Sequence, residues 1–452
     1  MHREQNDQTT AQSNRRSFLA KGTAASLGAA AAISAMPRPA FGFHNSVDDS
    51  IKVGLIGCGG RGTGAIMNIL EADSRTKVTA LADAFRDRVD ITLESVKLKH
   101  PERSKITDDT IFTGIDCHEK IVQSDIDVVL LATPPHFRPA QMEAAVAAGK
   151  HVFCEKPVAV DVPGAKRVLA ACEEAESKGL SVVSGLCWRY SEGVNETIKK
   201  IQEGAIGDIR AIECNYLAGT LWYRTPPKDV EWSSMENQLR NWLYFTWLSG
   251  DHTAEQHIHS IDKALWLMND IPPVSCHASG GRIARTEKKW GNVYDHFATA
   301  FEWEDGRKAF SHCRQIANCW SQTDDMVYGT KGIAKVLSFQ LENEDGIWKY
   351  GGDRQNKGGR MYVNEQRALV ESIRNVDPIN NGQYMVNSTL MALMARDAAY
   401  TGKKIKWEDY LKSEVVLGPD SYDDAYYQPD PVAIPGRNRK RKIWGPLSEQ
   451  KK

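Results

Sequence analysis

Residues 51–70 read IKVGLIGCGGRGTGAIMNIL. Val53, Leu55 and Ile56 make a short apolar run of strand character. Gly57-x-Gly59-x-x-Gly62 follows, and then Ala65, Ile66, Ile69 and Leu70 recur at helical spacing. A glycine triplet alone says little, but between a strand and a helix it carries chemistry. The first glycine permits a tight turn, the second lets backbone approach a pyrophosphate, and the third packs helix against strand. The helix N-terminus then presents unpaired N–H groups to the phosphates. Gly57, Gly59, Gly60, Arg61 and Gly62 are therefore the expected cofactor contacts. A second apolar run, KVTALAD, ends at Asp83, 21 residues past Gly62. A carboxylate there can accept from ribose hydroxyls and repels a 2′-phosphate, which points to NAD. Arg86 and Arg88 follow closely and leave NADP open.

The alternation continues outward. IDVVLLAT (126–133), HVFCEKP (151–157) and LSVVSGL (180–186) read as strands, with helical stretches between them that end at Gly149 and Gly179. Continuous apolar strands separated by helices predict a parallel sheet covered on both faces, an α/β Rossmann-type domain at 50–185. With 452 residues the chain exceeds one ordinary core, so a second domain is expected. Residues 292–340 alternate apolar and polar (YDHFATAFEWEDG, KAFSHCRQIA, GIAKVLSF), as an antiparallel sheet does. That places an α+β domain with a large, mostly antiparallel open sheet at 186–418. Residues 419–452 read as an extended tail, acidic and then basic, which either wraps a neighbouring subunit or ends free.

Composition narrows the partners. The net charge of −1 offers no broad basic field for nucleic acid. The nine cysteines are scattered, odd in number and without C-x-x-C, which supports neither a zinc cluster nor a disulfide framework. Residues 1–42 have another character. Arg15-Arg16 precede Ser17-Phe18-Leu19 and a weakly apolar run rich in Ala, Gly and Ser. A charged start, a short apolar run and small residues describe a signal peptide, and the adjacent arginines resemble a twin-arginine export signal. The run is too short and Ala-rich for a convincing membrane span, so no stable span is expected after processing, and the location is periplasmic or otherwise extracytoplasmic.

The stretch GDHTAEQHIHSIDKALWLM (250–268) concentrates His, Asp and Glu before turning apolar. On one continuous helix His252, Glu255, His259 and Asp262 fall on one face. That face admits three readings: a solvated surface, a metal site, or an acid–base site. Paired with a nicotinamide fold, the third is favoured, because alcohol oxidation needs one base near neutral pH. His259 is then the base, and Glu255 its orienting carboxylate or a substrate ligand.

With these residues in view, the chain resembles the Gfo/Idh/MocA oxidoreductase family, named for glucose–fructose oxidoreductase, inositol dehydrogenase and a rhizopine-catabolism protein. The resemblance rests on GLIGCGGRG, Asp83, ATPPHFRP, AGKHVFCEKP, GAIGDI (204–209) and the stretch at 250–268, with AAYTGKKIKWEDYL beyond them. It implies a second-domain sheet that often forms an oligomer interface, hence a homo-oligomer, dimer or tetramer. It implies a Glu-Lys-Pro loop beside the nicotinamide, Glu155, Lys156 and Pro157 here, with Lys156 touching the reacting hydroxyl. The family pattern D-x-x-x-H-x-x-D falls on Glu255, His259 and Asp262, with Glu in place of the first Asp. Thr133 and Pro134 match the family's cofactor loop. Pro135 stands where Asn is common and Arg138 where His is common. Arg189 joins the substrate candidates by family position. Trp222, Tyr223, Arg240 and Trp242 join them because flat aromatic faces beside hydrogen-bonding groups suit sugar rings, although core packing explains any single Trp equally well.

The expectation is an exported NAD(P)-dependent oxidoreductase acting on a secondary hydroxyl of a sugar, polyol or glycoside, with tightly held and internally recycled cofactor. Two alternatives stand beside it: a redox-neutral NAD-dependent glycosidase or lyase of the same family, and a binding protein with a dead site.

Overall fold

The computed structural model describes residues 49–352 and 360–437. The expected signal at 1–42 lies outside the described residues. Six strands form the first sheet: β1 (Ile51–Ile56), β2 (Thr76–Asp83), β3 (Ile111–Thr113), β4 (Val128–Leu131), β5 (His151–Cys154) and β6 (Val182–Ser184). Every pair is parallel, in the order β3-β2-β1-β4-β5-β6. The winding reverses between β1 and β4, so the loops leaving their C-terminal ends diverge and open a crevice. All four residues of β4 are buried, as a strand covered on both faces requires. Helices Gly60–Ala72 and Arg86–Lys99 pack one face through Ile66, Ile69, Leu70, Val89 and Val96. Helices Arg138–Ala147 and Val162–Ser177 pack the other through Met142, Val146 and Val168.

The second sheet has nine strands: β7 (Ile209–Ala218), β8 (Ser275–Gly281), β9 (His296–Glu302), β10 (Lys308–Gln315), β11 (Gln322–Gly329), β12 (Gly332–Lys335), β13 (Gln340–Asn343), β14 (Gly346–Lys349) and β15 (Ile405–Lys406). Their order is β14-β13-β12-β11-β7-β10-β9-β8-β15. The β7–β10 pair is parallel and every other pair is antiparallel. Helices Ile258–Leu267 and Gly382–Thr401 cover one face of it, joining Ile261, Leu265, Leu390 and Met394 to Ile212, Phe301 and Val327. The strand period is visible in β10, where Ala309, Ser311, Cys313 and Gln315 are buried and Phe310 between them is exposed.

Two connections tie the domains in ways no local pattern announces. Helix Met361–Arg374 returns to the first domain and adds Leu369 and Val370 to its core. There Ser372 Oγ lies 2.7 Å from Ser181 Oγ, and the backbone of Ile379–Asn381 brackets Val182. The described part of the tail lies along its own chain. The Tyr427 carbonyl accepts from Gln238, that of Asp430 from Asn292, and that of Ala433 from Tyr294. All nine cysteines are free, eight of them buried and Cys319 exposed. No helix among the described residues is long and apolar enough to cross a membrane.

Candidate active site

The glycine turn has the geometry a dinucleotide needs. Gly57 sits at φ +100°, and a Cβ there would lie 2.6 Å from the backbone of Ala132 and Thr133. A Cβ on Gly62 would lie 1.9 Å from the Gly57 carbonyl oxygen, so helix and turn meet only because it is absent. Gly59 and Gly60 border open space instead. Gly59 caps helix Gly60–Ala72 with no side-chain hydrogen bond, which leaves the first N–H groups for a ligand. A cleft at the C-terminal ends of β1 to β4 is lined by Gly57, Gly59, Asp83, Gly114, Ala132, Thr133 and Pro134. The Asp83 carboxylate accepts the Cys58 N–H at 2.7 Å and the Phe85 N–H at 2.9 Å. Burial pushes its pKa up and those two bonds hold it back. Each oxygen keeps a lone pair for a ribose hydroxyl. These residues fit a nicotinamide dinucleotide.

The Arg61 side chain is engaged within the protein. Its side chain turns to the Glu155 carboxylate, donates to Glu365 Oε1 at 3.2 Å, and lies 4.5 Å from the Tyr362 ring centre. Glu365 is fully buried, and burial followed by the neighbouring Glu155 charge raises its pKa strongly. The glycine turn is thus tied to the Glu-Lys-Pro loop through one guanidinium. Arg138, which departs from the family pattern, does a similar service. It is buried and donates to the Pro157 carbonyl and, at 2.6 Å, to the Thr133 carbonyl. Thr133 in turn donates to Gln141 at 2.7 Å. Arg138 therefore binds the cofactor loop to the loop that carries Lys156.

Lys156 leaves the end of β5 and reaches the second domain. Its Nζ donates to the Glu255 backbone carbonyl and lies 3.4 Å from Glu255 Oε1. Glu255 Oε2 and His259 Nδ1 are buried and have no hydrogen-bond partner among the described residues. The His259 pKa is pushed well below the usual value, first by burial and then by the charges of Lys156, Lys263 and Arg61. A neutral imidazole is thus held within range of the Lys156 charge, and Lys156 in turn touches Glu255, a set able to take and deliver a proton. Tyr216, which the sequence did not single out, borders the same group. Burial, then the Glu255 charge, raises its phenol.

The stretch 250–268 is not one helix. It forms His252–Glu255 and Ile258–Leu267 with a break at Gln256–His257. At the break the His257 N–H reaches back five residues to the His252 carbonyl, at 3.1 Å, so the helical ladder is interrupted there. Asp251, which precedes both pieces, adopts φ +72° while its carboxylate accepts from Tyr294 N–H at 2.8 Å and from Tyr400 Oη at 2.5 Å. The single polar face predicted for His252, Glu255, His259 and Asp262 therefore does not form. His252 turns to Asp251 and Phe297. Asp262 accepts from Arg189 at 2.8 Å and from Ser388 at 2.8 Å. Arg189 is fully engaged by Asp262 and Asp270 and lies 3.9 Å from the Tyr384 ring centre. Arg189 and Asp262 hold each other.

The aromatic candidates also lie elsewhere. Trp222, Arg240 and Trp242 line the dinucleotide cleft with Asp83 and Arg88. Tyr223 packs against Tyr244 and Trp290 and bonds Asn237 at 3.3 Å. Their neighbours are set by the path of 219–245, irregular apart from helix Ser234–Arg240 and the turn Trp242–Tyr244, both too short to read from periodicity. Glu365 was open to detection: Met361, Glu365, Leu369 and Ser372 share one helical stripe that is otherwise apolar or small, and a carboxylate there needs a cation. Among the described residues no group of three His, Cys, Asp or Glu side chains could hold a metal.

Comparison with known proteins agrees with this architecture. The family model described as "Oxidoreductase family, NAD-binding Rossmann fold" matches residues 51–183, and the "GFO/IDH/MocA C-terminal domain" model matches 194–335. A 2,7-anhydro-N-acetylneuraminate hydratase of Escherichia coli strain K12 is 28% identical over 231 residues, 51% of this chain and 56% of that protein. Inositol 2-dehydrogenase 3 of Saccharopolyspora erythraea is 27% identical over 259 residues, 57% of this chain and 65% of that one. The match thus spans less than two thirds of either relative. The structure of scyllo-inositol dehydrogenase from Lactobacillus casei with bound NAD(H) and scyllo-inositol superposes with a TM-score of 0.59 at 21% identity. That likeness covers 79% of this chain and 99% of the other, and it shows the fold. Two successive family models, covering the first sheet and strands β7 to β12 of the second, over a glycine turn shaped for a dinucleotide, place the chain in the Gfo/Idh/MocA family of oxidoreductases.

Proposed function

We propose that the protein is an NAD(P)-dependent oxidoreductase acting on a secondary hydroxyl of a sugar, polyol or glycoside. The observation that carries this reading is the contact of Lys156 with Glu255 across the join of the two domains, with the buried His259 within range of the Lys156 charge. When bound, the nicotinamide supplies a hydride acceptor or donor. Gly57, Gly59, Gly60, Gly62, Asp83, Thr133 and Pro134 hold the dinucleotide, and Glu155 positions the loop through Arg61. His259, kept neutral, takes the hydroxyl proton. Lys156 donates a hydrogen bond to the substrate oxygen, and Glu255 holds Lys156 in place. Names of relatives that include inositol dehydrogenases support a polyol or sugar as substrate. Incubation with a sugar and polyol panel, following nicotinamide absorbance and product mass together, tests the reading. No conversion of any panel member would favour the dead-site binding protein.

A second reading has its own support. Relatives named hydratases carry out, by that name, addition of water without net oxidation. A redox-neutral glycosidase or lyase would convert substrate with a changed product mass and no net nicotinamide absorbance.

We further propose export in the folded state, supported by Arg15-Arg16 and the apolar run behind them. A reporter fused to residues 1–42, scored with Arg15 and Arg16 changed to Lys, tests it. Homo-oligomer formation is supported by the sheet face that bears exposed Phe310 and Ile333, while Ala309 and Ala334 on the other face are buried. Sedimentation of the purified protein checks that point.

A further inference from the structure

Between β7 and helix Thr246–Ser249 the chain leaves the second sheet and lies along the dinucleotide cleft. Trp222, Arg224, Leu239, Arg240 and Trp242 line that cleft together with Gly57, Asp83 and Phe85. Arg240 fastens this segment to the first domain. Its two terminal nitrogens donate to the two oxygens of Asp87, each at 3.1 Å, and its Nε donates to Glu236 at 2.8 Å. Its guanidinium also lies 3.9 Å from the centre of the Phe85 ring. Phe85 and Asp87 follow directly on Asp83, the residue expected at the ribose. Arg224 lies 4.6 Å over the Trp222 ring, and its guanidinium donates no hydrogen bond among the described residues. Burial, and then the charges of Arg88 and Arg240, lower its pKa, against which the Asp87 charge acts.

We infer that residues 219–245 are the outer wall of the adenosine end of the dinucleotide site, and that Arg240 is the clasp holding the wall to the first domain. Flat indole faces suit a purine, and a free guanidinium suits a phosphate oxygen. The first domain alone would leave this end of the cofactor open to solvent. With the wall in place, dissociation needs the Arg240–Asp87 contact to break. The inference rests on the dinucleotide reading of the same cleft and adds a part played by the second domain.

The release rate of NADH decides it, read by fluorescence after a chase with excess NAD. Asp87→Ala and Arg240→Ala are each expected to speed release about three- to tenfold, the range for a partly exposed ion pair with a cation–π contact. The double variant should release no faster than the faster single one, since both remove one contact. Added salt should speed release from wild type and not from Asp87→Ala. Asp87 is half exposed, so its replacement leaves the core intact and keeps the test readable should Arg240→Ala fold poorly. Release from Asp87→Ala at the wild-type rate overturns the clasp. A wild-type protein that binds no NADH overturns the cofactor reading itself, and the wall with it.

Discussion

Lys156 and Glu255 belong to different domains and touch, the lysine Nζ donating to the Glu255 backbone carbonyl and facing its carboxylate. Neither residue reaches substrate chemistry without the other's domain in place. Lys156→Ala and His259→Ala are each expected to lower turnover by about 100- to 10,000-fold, the range for a lost proton-transfer group. Neither group lines the glycine turn, so dinucleotide affinity by direct titration should stay within a few-fold of wild type. Full activity in either variant would remove that residue from the site.

Four histidines are held below the usual value, in addition to the more exposed His100. Burial takes His136 and His151 to about 4, and His257 and His259 lie well below their normal range. The unfolded chain protonates such groups near pH 6.5, so it binds more protons than the folded protein between about 4 and about 6.5. The contribution of these histidines to stability therefore falls as pH drops through that window and is constant above it. Melting temperature measured from pH 8 to pH 4 checks this. The acid limb of kcat/KM should likewise lie below pH 6.5, where His259 takes up its proton.

Asp83→Ala should weaken NAD by about 10- to 100-fold, the cost of losing a charged acceptor for the ribose. NADP binding should weaken less or improve, because the repelling charge has gone. A wild type that already prefers NADP in calorimetric titration contradicts this assignment.

Arg189→Ala separates two assignments of that residue. In the structure it neutralises Asp262, which is 1% exposed. Its loss should cost about 3–5 kcal/mol of stability by stranding a buried carboxylate. A substrate ligand would instead raise KM with little change in melting temperature.

If the protein is exported folded, it works where no nicotinamide pool is maintained. Protein purified without added cofactor should then carry about one dinucleotide per subunit, with release slow enough to survive dialysis. Substrate should produce no net free NADH. An empty protein that releases NADH in proportion to product defeats the proposal.

The first domain was legible because its signals are local. Gly57, Gly59 and Gly62 stand between a strand and a helix, and Asp83 ends the next strand, where backbone geometry dictates residue type. The Glu255–His259 pair was legible as a motif, but the helix carrying it was not. The helix is interrupted at Gln256–His257, where the Gln256 side chain accepts from Gln315 at 2.6 Å and the His257 ring meets Ser311 Oγ at 2.5 Å, and those partners lie 59 and 54 residues away. Arg189 was read as a substrate ligand because nothing nearby in sequence shows its partner Asp262, 73 residues on. Trp222, Arg240 and Trp242 were read as sugar contacts for the same reason. Only the path of the chain through 219–245 sets what these side chains line, and residue type alone does not carry that path.

Helix Met361–Arg374 bears on how the chain can be divided. It fills a gap beside Ile66 and Ile69 with Leu369 and Val370, and residues just after it hydrogen-bond β6. The nucleotide-binding half is thus completed by residues that follow β14 of the second sheet. A fragment cut near residue 185 would expose that apolar patch and leave β6 as a bare edge, open to pairing with another copy. The two halves are not separable modules. Either is inherited, exchanged or expressed whole only with the rest of the chain.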